Sequence, residues 1–186
     1  NSISDLTGIT SFSSLTPLDI SNNDIISINL TQNKSLKYLN CAENDLSTLS
    51  IDQLSSLDTL ICSGNAINNL NTTQNSSLTY LYGSTNSITN MSLNSNSLIS
   101  WLDLEDNDLN NIYLNGNTDL IELHIGQNSM GELNTSNLEI LDEENGSLWS
   151  LDLSQSVALK SLNLVNNGIY ELDLSNNGTA GICGLL

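Results

Sequence analysis

The stretch 36–56, LKYLNCAENDLSTLSIDQLSS, contains the pattern that decides the fold. Leucines stand at its positions 1 and 4, an asparagine at position 9, and aliphatic residues at positions 11, 14 and 16. The pattern recurs in units 15–35, 36–56, 57–77, 78–98 and 99–119, then in an 18-residue unit, 120–137, and again in 138–158 and 159–179. A ninth unit begins at residue 180 and ends with the chain at Leu186. Such a fixed period indicates a repeat architecture.

Positions 3 to 7 of each unit alternate between variable and apolar residues, which is the period-2 signal of a strand with one buried face. We therefore expect strands over residues 38–42, 59–63, 80–84 and 101–105, stacked in one parallel sheet at about 4.8 Å per repeat. The second half of each unit is too rich in Asn, Ser and Thr to favour helix. The predicted fold is a mostly β repeat solenoid, with extended or irregular segments opposite the sheet and almost no α-helix.

Position 9 is asparagine in seven of the eight units, and Gly146 is the exception. An amide side chain carries both donors and acceptors, so it can bond the backbone of its own turn and of the neighbouring coil. Such bonds would satisfy loop backbone groups that are otherwise buried without partners. The predicted asparagine ladder consists of Asn23, Asn44, Asn65, Asn86, Asn107, Asn128 and Asn167.

The pattern L-x-x-L-x-[LIC]-x-x-N-x-[LI] resembles the leucine-rich-repeat family, in the 21-residue form of bacterial extracellular proteins such as internalin-like adhesins and Bacteroidetes surface repeats. The resemblance extends over eight units and 165 residues. It implies a curved parallel sheet and a non-enzymatic module that binds a protein or a glycan. It also implies a location outside the cell or on a bacterial cell surface.

Residues 1–14 form a half-repeat that could cap the first coil, and residues 15–186 form the predicted solenoid. The chain does not start with a basic segment followed by an apolar one, so Asn1 is expected to be a mature or trimmed end. Cys183 and Leu185 occupy inward positions at the other end, and repeat proteins need their terminal cores covered. We therefore expect the native chain to continue there, or another element to cover that end.

The short unit 120–137 is followed by Glu143 in the inward position 6. A buried carboxylate is costly unless it is paired. We expect a bulge near residues 142–146 that turns Glu143 outward.

The composition argues against two classes of partner. The chain of 186 residues has 3 Lys plus Arg against 21 Asp plus Glu, a formal net charge of −18. Such a surface repels nucleic-acid backbones and anionic lipid headgroups. The apolar runs are far shorter than a membrane span requires, so no membrane insertion is expected.

Cys41 and Cys62 both fall in position 6 of adjacent units. In-register strands hold their Cβ vectors parallel, which is unfavourable for a disulfide. The chain has no C-x-x-C pair or Cys/His cluster for zinc. We expect core thiols, and neither a cofactor nor a metal centre is predicted.

His124 is the single histidine, and its outward position 5 places it between Asp103 and Asp142 of the flanking strands. Such a row could orient a general base or hold a cation such as calcium. No nucleophile or oxyanion hole accompanies it, so catalysis is not expected, and cation binding stays open as a minor alternative.

The outward positions 3 and 5 gather large side chains on four consecutive strands. Exposed aromatic clusters mark surfaces that bind proteins or sugars. We name Tyr38, Ile61, Tyr80, Tyr82 and Trp101 the aromatic patch, and Asp103, His124 and Asp142 its polar margin. Together they are the predicted ligand-binding surface.

Three alternatives remain open at this point. Cross-strand aromatic stacking could serve the stability of the sheet alone. The chain could be a structural spacer or assembly unit of a larger surface protein, and its oligomeric state is not predicted. Small polar residues at position 17, such as Thr31, Thr73 and Asn94, could form an ice-binding array, although Asp52 interrupts it.

Overall fold

The computed structural model describes residues 2–114 and 116–178, together with the backbone of residues 181 and 182. Each repeat forms one coil of a solenoid, and each coil contributes one short strand to a nine-stranded parallel sheet, the main sheet. The predicted fold class is therefore confirmed. The strands of the main sheet are β1 (Pro17–Asp19), β2 (Tyr38–Asn40), β3 (Thr59–Ile61), β4 (Tyr80–Tyr82), β6 (Trp101–Asp103), β8 (Glu122–His124), β10 (Ile140–Asp142), β12 (Ser161–Asn163) and β13 (Gly181–Ile182).

Two small parallel sheets lie in the second halves of the coils, and we name them the back sheets. One pairs β5 (Met91–Ser92) with β7 (Ile112–Tyr113), and the other pairs β9 (Glu132–Ser136) with β11 (Ser150–Gln155). A short 3-10 helix, Ile9–Ser11, is the single helix in the part of the chain that the structure describes. No helix in that part is long and apolar enough to cross a membrane.

The strands of the main sheet are shorter than predicted, since they end at position 5 rather than position 7. Position 8 then takes a left-handed backbone conformation in coil after coil, for example at Glu43 with φ 53° and Thr85 with φ 52°. That conformation turns the chain away from the sheet at every coil. The shortening therefore follows from the tight turn that the repeat requires.

Aliphatic side chains fill the space between the main sheet and the back of the coils. The position-4 leucine is fully buried in seven coils, from Leu39 to Leu162, and only Leu18 in the first coil stays half-buried. Cys41 and Cys62 are buried free thiols in this core, as predicted. Burial raises the pKa of the Cys41 thiol to about 12.

The position-9 asparagines bond three backbone segments at once. Asn107 donates from Nδ2 to the carbonyls of Gly83, Leu104 and Glu105 at 3.0–3.2 Å, and its Oδ1 accepts the N–H of Ile88 at 2.9 Å. The other six ladder asparagines repeat the bond from Nδ2 to the position-6 carbonyl of their own coil. The side chains thus tie each turn to its neighbour.

A second row of asparagines, at position 19, was not predicted to form a ladder. Asn75, Asn96 and Asn117 are buried and donate to backbone carbonyls of the preceding coil at 2.8–3.2 Å. Asn33 makes the same contacts to the carbonyls of Ile9 and Phe12. These bonds attach the N-terminal half-repeat to the first coil.

The predicted bulge near residues 142–146 is wrong. β10 keeps a regular register with both neighbours, and Glu143 is fully buried with both carboxylate oxygens lacking a hydrogen bond among the described residues. The shortened unit is absorbed at the back, where the pairing of β9 with β11 shifts between Asp152 and Gln155. The missing residues therefore do not change the register of the main sheet.

Gly146 explains how the carboxylate fits. A Cβ at Gly146 would overlap the Glu143 carboxylate, so the acid occupies the space beside the missing position-9 side chain. Burial raises the pKa of Glu143 to about 7; the neighbouring Asn167 amide opposes this increase, and the charge of Asp142 adds to it.

Candidate binding surface on the main sheet

The outward positions 3 and 5 form two rows that run across the strands of the main sheet. Register pairs place Tyr80 beside Trp101 and Tyr82 beside Ile61. Strands in a sheet lie about 4.8 Å apart, so these side chains share one continuous surface. Tyr38 lies on the same surface, with Thr59 between it and Tyr80.

Trp101 joins the aromatic patch to the polar margin. Its ring centroid lies 5.9 Å from that of Tyr82 at an interplanar angle of 35°, and 5.6 Å from that of His124 at 26°. These spacings fall in the range of favourable aromatic pairs. The rings of Tyr82 and His124 flank Trp101 on both sides. A ligand can therefore reach the edge of the Trp101 ring more easily than its faces.

The burial of this row differs along its length. Tyr80 is 40% exposed, whereas Tyr82 and Trp101 are half-buried. Burial raises the pKa of the Tyr82 hydroxyl. The indole N–H of Trp101 is buried and has no acceptor among the described residues. The centre of the patch is therefore held by packing.

His124 contacts one of its two predicted neighbours, Asp142, and one residue that was not predicted, Glu122. Its Nε2 lies 2.8 Å from Oε1 of Glu122 on the same strand, and its Nδ1 lies 3.7 Å from Oδ2 of Asp142. Asp103 instead accepts hydrogen bonds from the Ser84 hydroxyl at 3.0 Å and the Glu105 N–H at 3.1 Å.

Glu122 is the residue that sequence reasoning missed. It stands two residues before His124, so both side chains point to the same face of the strand. The two-residue spacing in the sequence could have predicted this contact.

The polar margin is more acidic than its three predicted members. Asn163 donates to Asp142 at 2.9 Å and to Glu144 at 3.0 Å, which links two carboxylates of neighbouring positions. Outward positions 3 and 5 contain no lysine or arginine in any of the eight coils. Lys160 lies just before β12 and pairs with Glu139 at 2.7 Å. The carboxylates around the polar margin therefore have no lysine or arginine beside them at these outward positions, and they lie next to the aromatic patch.

The surface offers a ligand two kinds of contact, apolar and polar. No group of three or more His, Cys, Asp or Glu side chains is placed to hold a metal ion in residues 2–114 and 116–178. Edges of aromatic rings provide apolar contact, and the carboxylates accept hydrogen bonds or attract cations. These are the properties of an anchor with a charged rim.

Comparison with known proteins identifies similar folds. No family model matches the sequence, and a search of curated proteins finds no significant match. Among solved structures, the chain is similar to internalin F of Listeria monocytogenes (21% identity, 97% of this chain, 51% of that chain, TM-score 0.78). It is also similar to a leucine-rich-repeat protein of Leptospira interrogans (20% identity, 97% of this chain, 57% of that chain, TM-score 0.77). Internalin C2 of Listeria monocytogenes gives 22% identity, 98% of this chain, 76% of that chain and a TM-score of 0.76.

These likenesses show that the chain has the fold of internalin-type leucine-rich-repeat proteins, as the sequence pattern predicted. The chain spans roughly half to three quarters of the length of these structures.

Proposed function

We propose that the chain is an extracellular recognition module that binds a protein partner through the outward face of the main sheet. The observation that carries the proposal is the row Tyr82, Trp101 and His124, which joins the aromatic patch to the polar margin through ring contacts of 5.6 and 5.9 Å. Aromatic side chains in such central positions supply much of the binding energy of protein interfaces.

The partner's chemistry follows from the charge of the margin. Glu122, Asp142 and Glu144 lie together without a lysine or arginine among the outward positions of the sheet. Opposite charges across an interface steer association and exclude wrong partners. The proposed partner therefore presents an apolar or aromatic group to Tyr82 and Trp101, with Lys or Arg beside it.

A glycan on this face is the alternative ligand. Sugar rings bind aromatic side chains by stacking on a ring face, and the flanking rings of Trp101 leave less of that face open. The protein partner is favoured for this reason.

Selection of random peptides on the immobilised protein tests the proposal. Peptides retained by the wild type should be enriched in Lys and Arg together with aromatic residues. They should lose most of their affinity for a Glu122→Gln, Asp142→Asn double variant and bind more weakly as salt is raised.

The control is a Glu132→Gln variant, which changes an exposed carboxylate of a back sheet. It should retain the selected peptides. A selection without basic enrichment, or with equal loss in both variants, would contradict the proposed charge complementarity. Failure to retain any peptide on this face would favour the spacer role.

A further inference from the structure

A groove on the back of the last two complete coils contains two exposed aromatic side chains, Trp149 and Tyr170. It is lined by Trp149, Asp152, Tyr170, Glu171 and Asp173, and its volume is about 480 Å³. That volume lies within the usual range of small-molecule sites. The groove belongs to neither the aromatic patch nor the polar margin.

Trp149 and Tyr170 occupy the same position, 12, of adjacent coils. Trp149 is 56% exposed and Tyr170 is 98% exposed. The nitrogen edge of the Trp149 indole lies against Gly131, where a Cβ would overlap it, so this glycine allows the ring to lie close to the coil. No aromatic ring within residues 2–114 and 116–178 stacks on Trp149, in contrast to Trp101. Its ring is therefore not covered by another ring, and more than half of the side chain is exposed.

Two aspartates lie beside the rings at position 15 of the same coils. Asp152 accepts the N–H of Ser154 at 2.8 Å, and Asp173 accepts the N–H of Ser175 at 2.8 Å. These hydrogen bonds lower the pKa of both carboxyl groups, so both are ionised at neutral pH. An ionised carboxylate has about four lone-pair sites, and most of these remain for donors from a ligand.

We propose that this groove is a second binding site and that its ligand is an uncharged sugar chain. The exposed Trp149 indole and the Tyr170 phenol of the next coil offer stacking surfaces to the apolar faces of pyranose rings. The ordered carboxylates accept hydrogen bonds from sugar hydroxyls. The same carboxylates repel uronic acids and sulfated or phosphorylated sugars, which restricts the ligand to neutral chains.

Titration calorimetry with neutral hexasaccharides of glucose, mannose, xylose and N-acetylglucosamine tests the site. At least one of these probes should bind the wild type at millimolar concentration or below. Trp149→Ala and Tyr170→Ala should each weaken that binding by about tenfold or more, whereas Trp101→Ala should leave it within about twofold. Both groove side chains are largely exposed, so the melting temperatures of their variants should stay at the wild-type value.

Gly131→Ala provides a second, independent variant. It keeps every groove side chain but displaces the Trp149 indole, so it should weaken sugar binding while Gly116→Ala, at an open position, does not. The proposal is overturned if no hexasaccharide binds, or if binding survives both Trp149→Ala and Tyr170→Ala. Loss of sugar binding in Trp101→Ala alone would assign the glycan to the main sheet instead. The first two outcomes leave the protein partner untouched, because the peptide selection tests it separately, whereas a glycan on the main sheet would also count against that partner.

Discussion

The carboxyl group of Glu143 lies beside Gly146, the glycine that replaces the position-9 asparagine in this coil. The pairing of a buried acid with this glycine determines the local chemistry of the core. Asn167 lies next to this acid, but its amide donates to the backbone carbonyl of Glu143 at 2.6 Å. The carboxylate oxygens are left without hydrogen bonds among the described residues. Because the flanking position-6 residues, Ile125 and Leu164, are apolar, the neutral acid is the form that fits this site.

The free energy of unfolding should therefore depend on pH through Glu143. Its pKa is about 7 in the folded protein against 4.5 for an ordinary glutamate. As pH rises from 4.5 to 7, the unfolded chain loses this proton while the folded protein retains it, so stability falls by about 3 kcal/mol. Below pH 4.5 the contribution is fully present, and above pH 7 it is lost.

Denaturant unfolding of the wild type and Glu143→Gln between pH 4 and 8 measures this contribution. The stability difference between the two proteins should change by about 3 kcal/mol in favour of the neutral variant as pH rises. Other acidic groups titrate in both proteins and cancel in the difference. Parallel pH profiles would show that Glu143 is not buried as a neutral acid.

At the scale of the repeat element, periodicity alone predicts which side chains face inward and where each strand begins. A leucine every 21 residues at position 4 can only stack in register, and the parallel pairs Leu39–Leu60 and Leu81–Leu102 show that register. The left-handed residue at position 8 left only a partial signal, because Asn or Gly stands there in four of the eight coils, whereas Glu43, Thr85 and Gln127 do not favour a positive φ. The ends of the strands were therefore harder to predict from the pattern than their starts.

Deviations from the period were harder still to predict. The missing three residues fall in the back loop of their unit, but the repeat pattern does not say whether the next strand of the main sheet adjusts as well. The structure places the irregularity between β9 and β11, outside the main sheet. The second row of asparagines was visible in the sequence, but its role required knowing which carbonyls face it.

Removal of one ladder side chain tests how much this row stabilises the coils. Asn107→Ala deletes three donor bonds and the acceptor for the Ile88 N–H, leaving buried backbone groups unsatisfied. The free energy of unfolding should fall by about 2–4 kcal/mol. Asn110 is exposed and makes a single long bond of 3.4 Å to Asp108, so Asn110→Ala should cost less than about 0.5 kcal/mol. Equal effects in the two variants would mean that the ladder contributes little.

At the scale of the whole molecule, the solenoid brings the same position of every repeat onto one surface. Because every outward position 3 and 5 falls on the same face, the sequence could place Tyr82, Trp101 and His124 on one surface before any coordinates were known. It could not predict which rings touch, or that His124 would contact Glu122 in preference to Asp103. Those choices depend on rotamers, which a repeat pattern does not encode.

The binding role of that surface stays a prediction, and one comparison tests it most directly. The affinity of a partner selected on the wild type is measured for Trp101→Ala and for Tyr113→Ala, which removes a 62% exposed aromatic of a back sheet. With both variants retaining the wild-type melting temperature, Trp101→Ala should weaken binding by about 30-fold, equivalent to about 2 kcal/mol, and Tyr113→Ala should leave it unchanged. Unchanged affinity in Trp101→Ala would contradict the account, because the aromatic row would then only stabilise the sheet.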